Sequence, residues 1–253
     1  MKKSLRQWAT ALAALLPGSM ARVALCVLGH EVGPGARIGF SLLLVDRLVL
    51  QEGARIGHFN FLRLRRLVMR QGSYFGRANF VHGPLSIAMA TRAAIGNRNK
   101  IVRAPIGLVT RGPALLRLGE LSKITADHRV DCTSSLWVGD FSTIAGTGTQ
   151  IWTHGYVHDE QGPGRYRVDG RVVIGSNVYV GSSCILTTGV HIADGIIVGA
   201  GTTVARSLTE PGMYVSVGLR RLERPVDPDT RPDLQHVDDP QLCERVYVKR
   251  DKH

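Results

Sequence analysis

Aliphatic residues recur every six positions from Ile174 onward: Val180, Leu186, Ile192, Val198 and Val204 follow without interruption. Most openers are followed by Gly, Ala or Thr, and a second apolar or small residue (Val178, Cys184, Val190, Ile196 or Thr202) falls four positions after each opener. A period of six is neither the roughly 3.6-residue repeat of a helix nor the alternation of a simple strand. It fits a chain that lays down a short strand, turns, and repeats on three flat sides of a prism, with about 18 residues per coil. The same beat runs through Val32, Ile38, Leu44, Leu50, Ile56, Leu62 and Val68, and Tyr74 and Phe80 continue it. Gly33, Gly39 and Gly57 follow their openers, as Gly175, Gly181 and Gly199 do later. Glycine suits corners because it tolerates backbone conformations that crowd a side chain. The phase slips and resumes at Ile95 and Ile101, at Leu118, Ile124 and Val130, and at Val138 and Ile144. Residues 32–224 therefore form one solenoid domain, with roughly eight coils between residues 32 and 204. A β-sandwich would not place turns every six residues.

The flanks differ from the ladder. In residues 1–31, Leu5, Trp8, Leu12 and Leu15 sit at helical spacing, and a turn at Pro17-Gly18 precedes a second apolar segment up to Leu28. This predicts a helical cap over the first coil, whose edge would otherwise be unpaired. The same stripe beside Lys2, Lys3 and Arg6 suits contact with a membrane surface, and the segment also imitates a cleaved signal. Its apolar run falls far short of the roughly 20 residues of a membrane span. Residues 225–253 are rich in proline and charge and predict an irregular tail.

The ladder breaks where a break is useful. Residues 155–171 carry Gly155, Gly162, Pro163, Gly164 and Gly170 among charged residues and predict an extruded loop. Thr153-His154 stands at its root. Imidazole titrates close enough to neutrality to take a proton from a hydroxyl, so His154 is a candidate general base. His158 competes from within the loop, and Asp159 or Glu160 could orient either ring. His128 and His191 fall inside the repeats and read as wall or subunit-contact residues.

The segment from Ile151 to Arg221 resembles the hexapeptide-repeat acyltransferases, most of all the sugar and polysaccharide O-acetyltransferases of the maltose and galactoside type. The resemblance implies an all-β, left-handed parallel β-helix, acetyl-CoA as acyl donor without a metal, a saccharide acceptor, and His154 as catalytic base. In Tyr179-Val180-Gly181-Ser182 it places Tyr179 beside the pantetheine and acceptor, and Gly181 with Ser182 near the thioester. Gly199 and Ala200 belong to a small-residue stretch along the pantetheine arm. Arg206 stands where a cation faces a coenzyme phosphate, although Ala205 departs from the family's Thr. Arg220 or Arg221 matches a closing basic element whose proline is missing here. The phase of the repeat points Val172, Tyr179 and Leu208 outward, and the resemblance implies a homotrimer that partly covers such surface, with His154 of one subunit opposite Gly199 and Ala200 of the next.

Composition narrows the partners. A net charge of +12 points to an anionic partner. Scattered basic residues, 6% aromatic content and the lack of a helix-turn-helix, zinc-finger or RNA-binding signature argue against nucleic acid. Coenzyme A needs only a few of these charges. The four cysteines form no metal or CxxC spacing, and Cys184 falls on the inward beat. The expectation is a cytoplasmic enzyme, at most peripheral at the inner face of the membrane, that acetylates a capsule, lipopolysaccharide or exopolysaccharide unit. Three other readings fit parts of the pattern. One is N-acetylation of a nucleotide amino sugar, another a non-enzymatic solenoid scaffold. The third is a γ-class carbonic-anhydrase-like zinc protein, whose ligand spacing His154 and His158 miss by one.

Overall fold

The structure, a computed structural model, describes residues 3–107, 110–158, 160–216, 220–222, 228–230, 232, 234–237 and 246–249. Helices α1 (Lys3–Ala14) and α2 (Gly18–Val27) precede a left-handed parallel β-helix. Nine short strands, from Arg37–Ile38 to Met213–Val215, stack in parallel as the first side of the prism, one per coil, and Arg220–Leu222 closes that side antiparallel. The second side includes Phe80–His82, Lys100–Val102, Arg129–Asp131, Gln150–Ile151, Ile185–Leu186 and Thr203–Val204. The third includes Ser86–Met89, Leu115–Leu118, Leu136–Val138, Val172–Ile174 and His191–Ile192. Long strands Leu42–Leu50 and Phe61–Met69 run across both and join them into one sheet.

The openers from Ile174 to Val204 all point inward, as do Val178, Cys184, Val190, Ile196 and Thr202. The ladder fails first at Val68, which is only half-buried while Met69, the partner of inward Leu50, is fully buried, and then at Tyr74 and Phe80, which face outward. Ile56 pairs with Phe75 and Leu62 with Val81, so this coil has 19 residues and the inward beat passes to Phe75 and Val81, both fully buried. Val172 and Leu208, expected outside, are also core residues; only Tyr179 of that trio faces solvent.

The glycines after the openers serve a purpose other than the one the sequence suggests. A Cβ on Gly39 would come within 2.7 Å of Gly57, one on Gly57 within 2.6 Å of Gly76, and one on Gly139 within 2.5 Å of Gly175. These positions are glycine because neighbouring coils nearly touch there. The left-handed corners are occupied by other residues as well, among them Leu121, Phe141 and Asn177 with φ between 53° and 59°.

A polar ladder seals the corner between the first and second sides. The backbone N–H of Asn60 donates to Ser41 Oγ, that of Asn79 to Asn60 Oδ1, that of Asn99 to Asn79 Oδ1, and that of His128 to Asn99 Oδ1. Thr149 N–H then donates to His128 Nδ1 at 3.1 Å, and Cys184 N–H to Thr149 Oγ1. His128 is thus a wall residue, its buried ring held below the usual histidine range chiefly by desolvation.

The N-terminal cap is present. Helix α1 lies on strand Leu42–Leu50 and is clamped by His30, whose Nδ1 accepts from Leu48 N–H and whose Nε2 lies 2.8 Å from the Thr10 hydroxyl. Burial first, then Arg6 and Arg47, lower the His30 pKa to about 4 from an ordinary 6.5. The unfolded chain protonates this residue below about pH 6.5 while the folded chain resists until about pH 4. The clamp's contribution is complete above pH 6.5 and declines as pH falls toward 4. Acidification is therefore expected to lower the thermal midpoint and to expose the α1 amides to hydrogen exchange first. A His30→Asn variant with an equally steep acid decline would assign the effect elsewhere.

Two other segments depart from expectation. The tail, expected to be irregular, contains an antiparallel pair, Leu234–Val237 with Val246–Lys249. A second excursion follows Val102 and is pinned by buried Arg103, whose guanidinium donates to the carbonyls of Pro84, Arg111 and Gly112.

Candidate active site

The segment expected to loop out at residues 155–171 does so as an ordered hairpin. His154–His158 pairs antiparallel with Arg165–Asp169, between a second-side strand ending at Ile151 and a third-side strand beginning at Val172. It projects from the corner because the prism has no room for these residues between consecutive sides. His154 stands at its base, where the rigid wall fixes the backbone, while His158 is exposed.

The carboxylate that holds His154 comes from the coil below. Asp131 Oδ2 lies 2.8 Å from His154 Nδ1, with the two side chains 7% and 26% exposed. The same oxygen accepts from Thr153 N–H at 3.1 Å and from the Thr153 hydroxyl at 2.8 Å, and Oδ1 accepts from the Thr133 hydroxyl at 2.8 Å. Every polar contact of this carboxylate is made by a donor, which suits an ionised group that is almost wholly buried. An ionised carboxylate only accepts, so it places the imidazole hydrogen on Nδ1 and leaves the Nε2 lone pair to take a proton. Thr153 is itself locked, its hydroxyl accepting from Ser134 N–H.

His154 lines a cavity of about 300 Å³ together with Lys100, Arg129, Asp131, Trp152 and Arg167. The Trp152 ring meets His154 edge-on at 6.5 Å, and Tyr156 does so at 6.2 Å. Arg167 reaches in from the returning hairpin strand, bound to Asp169 at 2.6 Å, and its Nη2 is buried without a hydrogen-bond partner. A buried N–H of this kind is costly unless a ligand completes it. The site thus combines an imidazole, an orienting carboxylate, an aromatic wall and three cationic side chains.

The other residues singled out in the sequence do not join this cavity within one chain. Tyr179 is half exposed on the first side, paired with Thr143 and Ile197. Gly181, Ser182, Gly199 and Ala200 stack at the corner between the first and second sides, where a Cβ on Gly181 would lie 2.6 Å from Ala200 N. His154 occupies the next corner. Arg206 follows strand Thr203–Val204 on that same corner, two coils toward the C-terminal end, and is exposed. Arg221 donates to Pro211 O at 3.1 Å and lies 3.7 Å from Glu210. The Arg220 side chain and Asp159 lie outside the described residues. Among the described residues no three His, Cys, Asp or Glu side chains converge as a metal site.

The sequence reading missed Asp131, Lys100, Arg129 and Arg167. One signal was present: in four successive coils the residue after the inward opener on the second side is His82, Val102, Asp131 and Trp152, three of them polar or aromatic.

The fold is a left-handed parallel β-helix built on six-residue repeats. Among solved structures, the chain is similar to the polySia-specific acetyltransferase NeuO, with a TM-score of 0.54 and 17% identity over 80% of this chain and 90% of that one. Weaker likenesses link it to the polysialic acid O-acetyltransferase OatWY, with a TM-score of 0.46 and 15% identity over 84% and 97% of the two chains. A hexapeptide-repeat acetyltransferase from Vibrio cholerae gives 0.40 and 21% over 44% and 64%. The comparison with NeuO carries the fold. No protein-family model and no curated protein matches the sequence.

Proposed function

We propose that the protein is an acetyl-CoA-dependent O-acetyltransferase that acts on a saccharide hydroxyl, with His154 as general base. The observation that carries this reading is the buried Asp131–His154 pair at the base of an extruded hairpin, facing a cationic, Trp-walled cavity. In the reaction, Nε2 removes the hydroxyl proton as the oxygen attacks the thioester carbonyl. The new C–O bond forms, the C–S bond breaks, and the proton held by the imidazole passes to the leaving thiolate. Asp131 keeps the ring oriented throughout. No covalent enzyme intermediate is needed.

The acceptor fitting this cavity is an anionic saccharide. Lys100, Arg129 and the unpartnered Nη2 of Arg167 suit a carboxylate or phosphate, and Trp152 offers an apolar face to a sugar ring. NeuO and OatWY bear names that place them on polysialic acid, an acceptor of this charge class. The test is incubation with acetyl-CoA and matched panels of acidic sugars, neutral sugars and amino sugars, read by mass spectrometry. A gain of one acetyl ester on acidic sugars is expected. Acetylation confined to amino groups would favour the N-acetyltransferase reading, and no transfer to any panel would remove both.

For the donor, the proposal uses two corners. Gly181, Ser182, Gly199 and Ala200 form a small-residue wall one corner away from His154, so a coenzyme groove using both sets needs two chains. Tyr179 would line that groove, and Arg206, Arg220 and Arg221 would reach the phosphates. This supports a homotrimer with three shared sites. Light scattering is expected to give about three times 27.5 kDa. A fully active monomer would overturn the shared groove. Use of acetyl-CoA fits a cytoplasmic location, which cell fractionation would check.

A further inference from the structure

We propose that the helical end of the prism docks on an anionic lipid bilayer. This does not rest on the acetyltransferase reading. A helix folded against its own core normally buries its large apolar residues and leaves small or polar ones to water. Helix α1 does the reverse. It buries Thr10, Ala11, Ala13 and Ala14, and turns Leu5, Trp8 and Leu12 outward at 60%, 53% and 66% exposure. Helix α2 buries Ala21 and Leu25 but still leaves Met20, Val23 and Val27 facing solvent beside Leu16. A shallow apolar groove of about 400 Å³ runs along Leu16, Met20, Val23 and Ala24. Exposed apolar surface on this scale, on two consecutive helices, marks an interaction face.

Charge selects the occupant. Residues 1–30 contain Lys2, Lys3, Arg6 and Arg22 and no Asp or Glu. The nearest acids beyond this stretch are already engaged: Glu31 is bound to Arg47, and Asp46 accepts from Gln7 of α1. A contact between copies of this face, around a two-fold or three-fold axis, would bring like charges together with no acid of the helices themselves to pair them. An anionic bilayer satisfies both features: its headgroups would meet exposed Arg22, and its acyl boundary would take Leu5, Trp8 and Leu12. Among the described residues no helix is long and apolar enough to cross a membrane. The helices would lie in the interface, with the prism standing off the surface.

The experiment is co-sedimentation of the full chain with vesicles of phosphatidylcholine alone and of phosphatidylcholine with one-third phosphatidylglycerol, at low and high salt. Binding is expected to the anionic vesicles, and to weaken with salt. Leu12→Glu with Val23→Glu should lower binding at least tenfold, and Arg22→Gln about fivefold. Circular dichroism checks that the solenoid survives. Should the double variant misfold, the Arg22 variant and the salt series still decide. Failure to sediment with anionic vesicles, or equal binding to neutral ones, would overturn the proposal. So would a double variant that sediments like the parent, or one whose only change is a smaller assembly in solution, since that would assign the face to contacts between copies.

Discussion

His154→Ala is expected to lower turnover by about 10²–10⁴-fold, the usual worth of a positioned general base. Binding of coenzyme A should survive, because Gly181, Ser182, Gly199 and Ala200 lie at another corner of the prism and Arg206 lies two coils away from His154. His158→Ala provides the contrast. That ring is exposed on the hairpin and, among the described residues, meets no carboxylate like the one that fixes His154, so its loss should cost less than about threefold. The measurement is steady-state turnover of both variants on the acceptor found in the panel, with calorimetry for coenzyme binding. Equal losses in the two variants would remove the base from His154. Loss of coenzyme affinity along with turnover in His154→Ala would instead assign the residue to the groove.

Why His154 was legible in the sequence while Asp131 was not follows from the geometry of the coils. Where coils have a constant length, as between Val180 and Val198, the six-residue beat alone places every side chain inside or outside. Thr153-His154 announces itself by standing where that beat gives way to glycine and charge. Asp131 lies beneath it only because Val130 pairs with Ile151, an offset of 21 residues. That offset cannot be counted from the sequence, since the preceding coils have gained residues at several corners. The same irregularity misplaced Tyr74 and Phe80. The glycines show a different limit. Their recurrence was plain, but the reason for it, a neighbouring coil within about 3 Å of an added Cβ, exists only once the coils are stacked. In α1 the helical spacing of Leu5, Trp8 and Leu12 does put them on one face. Which way that face points was decided by Thr10, Ala13 and Ala14, whose small size lets the helix lie close on strand Leu42–Leu50.

Asp131→Asn is expected to cost turnover about 10²–10⁴-fold although it leaves His154 in place. The carboxylate receives the hydrogens of Thr133, Thr153 and His154, and an amide in the same space can accept through one oxygen only. If the amide oxygen stays with Thr153 and His154, its NH₂ faces the Thr133 donors. If it turns around, the NH₂ faces His154 Nδ1 and draws the imidazole hydrogen to Nε2, the nitrogen that must accept the hydroxyl proton. Either arrangement leaves a buried donor opposed, at a cost of about 1–3 kcal/mol in stability. The catalytic loss comes from the second arrangement. Asp131 is therefore a positioning residue, and the two effects separate by experiment. Imidazole ¹⁵N spectra should show the hydrogen on Nδ1 in the parent and on Nε2 in the variant, while KM for acetyl-CoA stays within about twofold and kcat falls. A variant that keeps the parent's tautomer and turnover while losing stability would reduce Asp131 to a structural strut. Parent-like turnover with a changed tautomer would show that Nε2 of His154 is not where the proton goes.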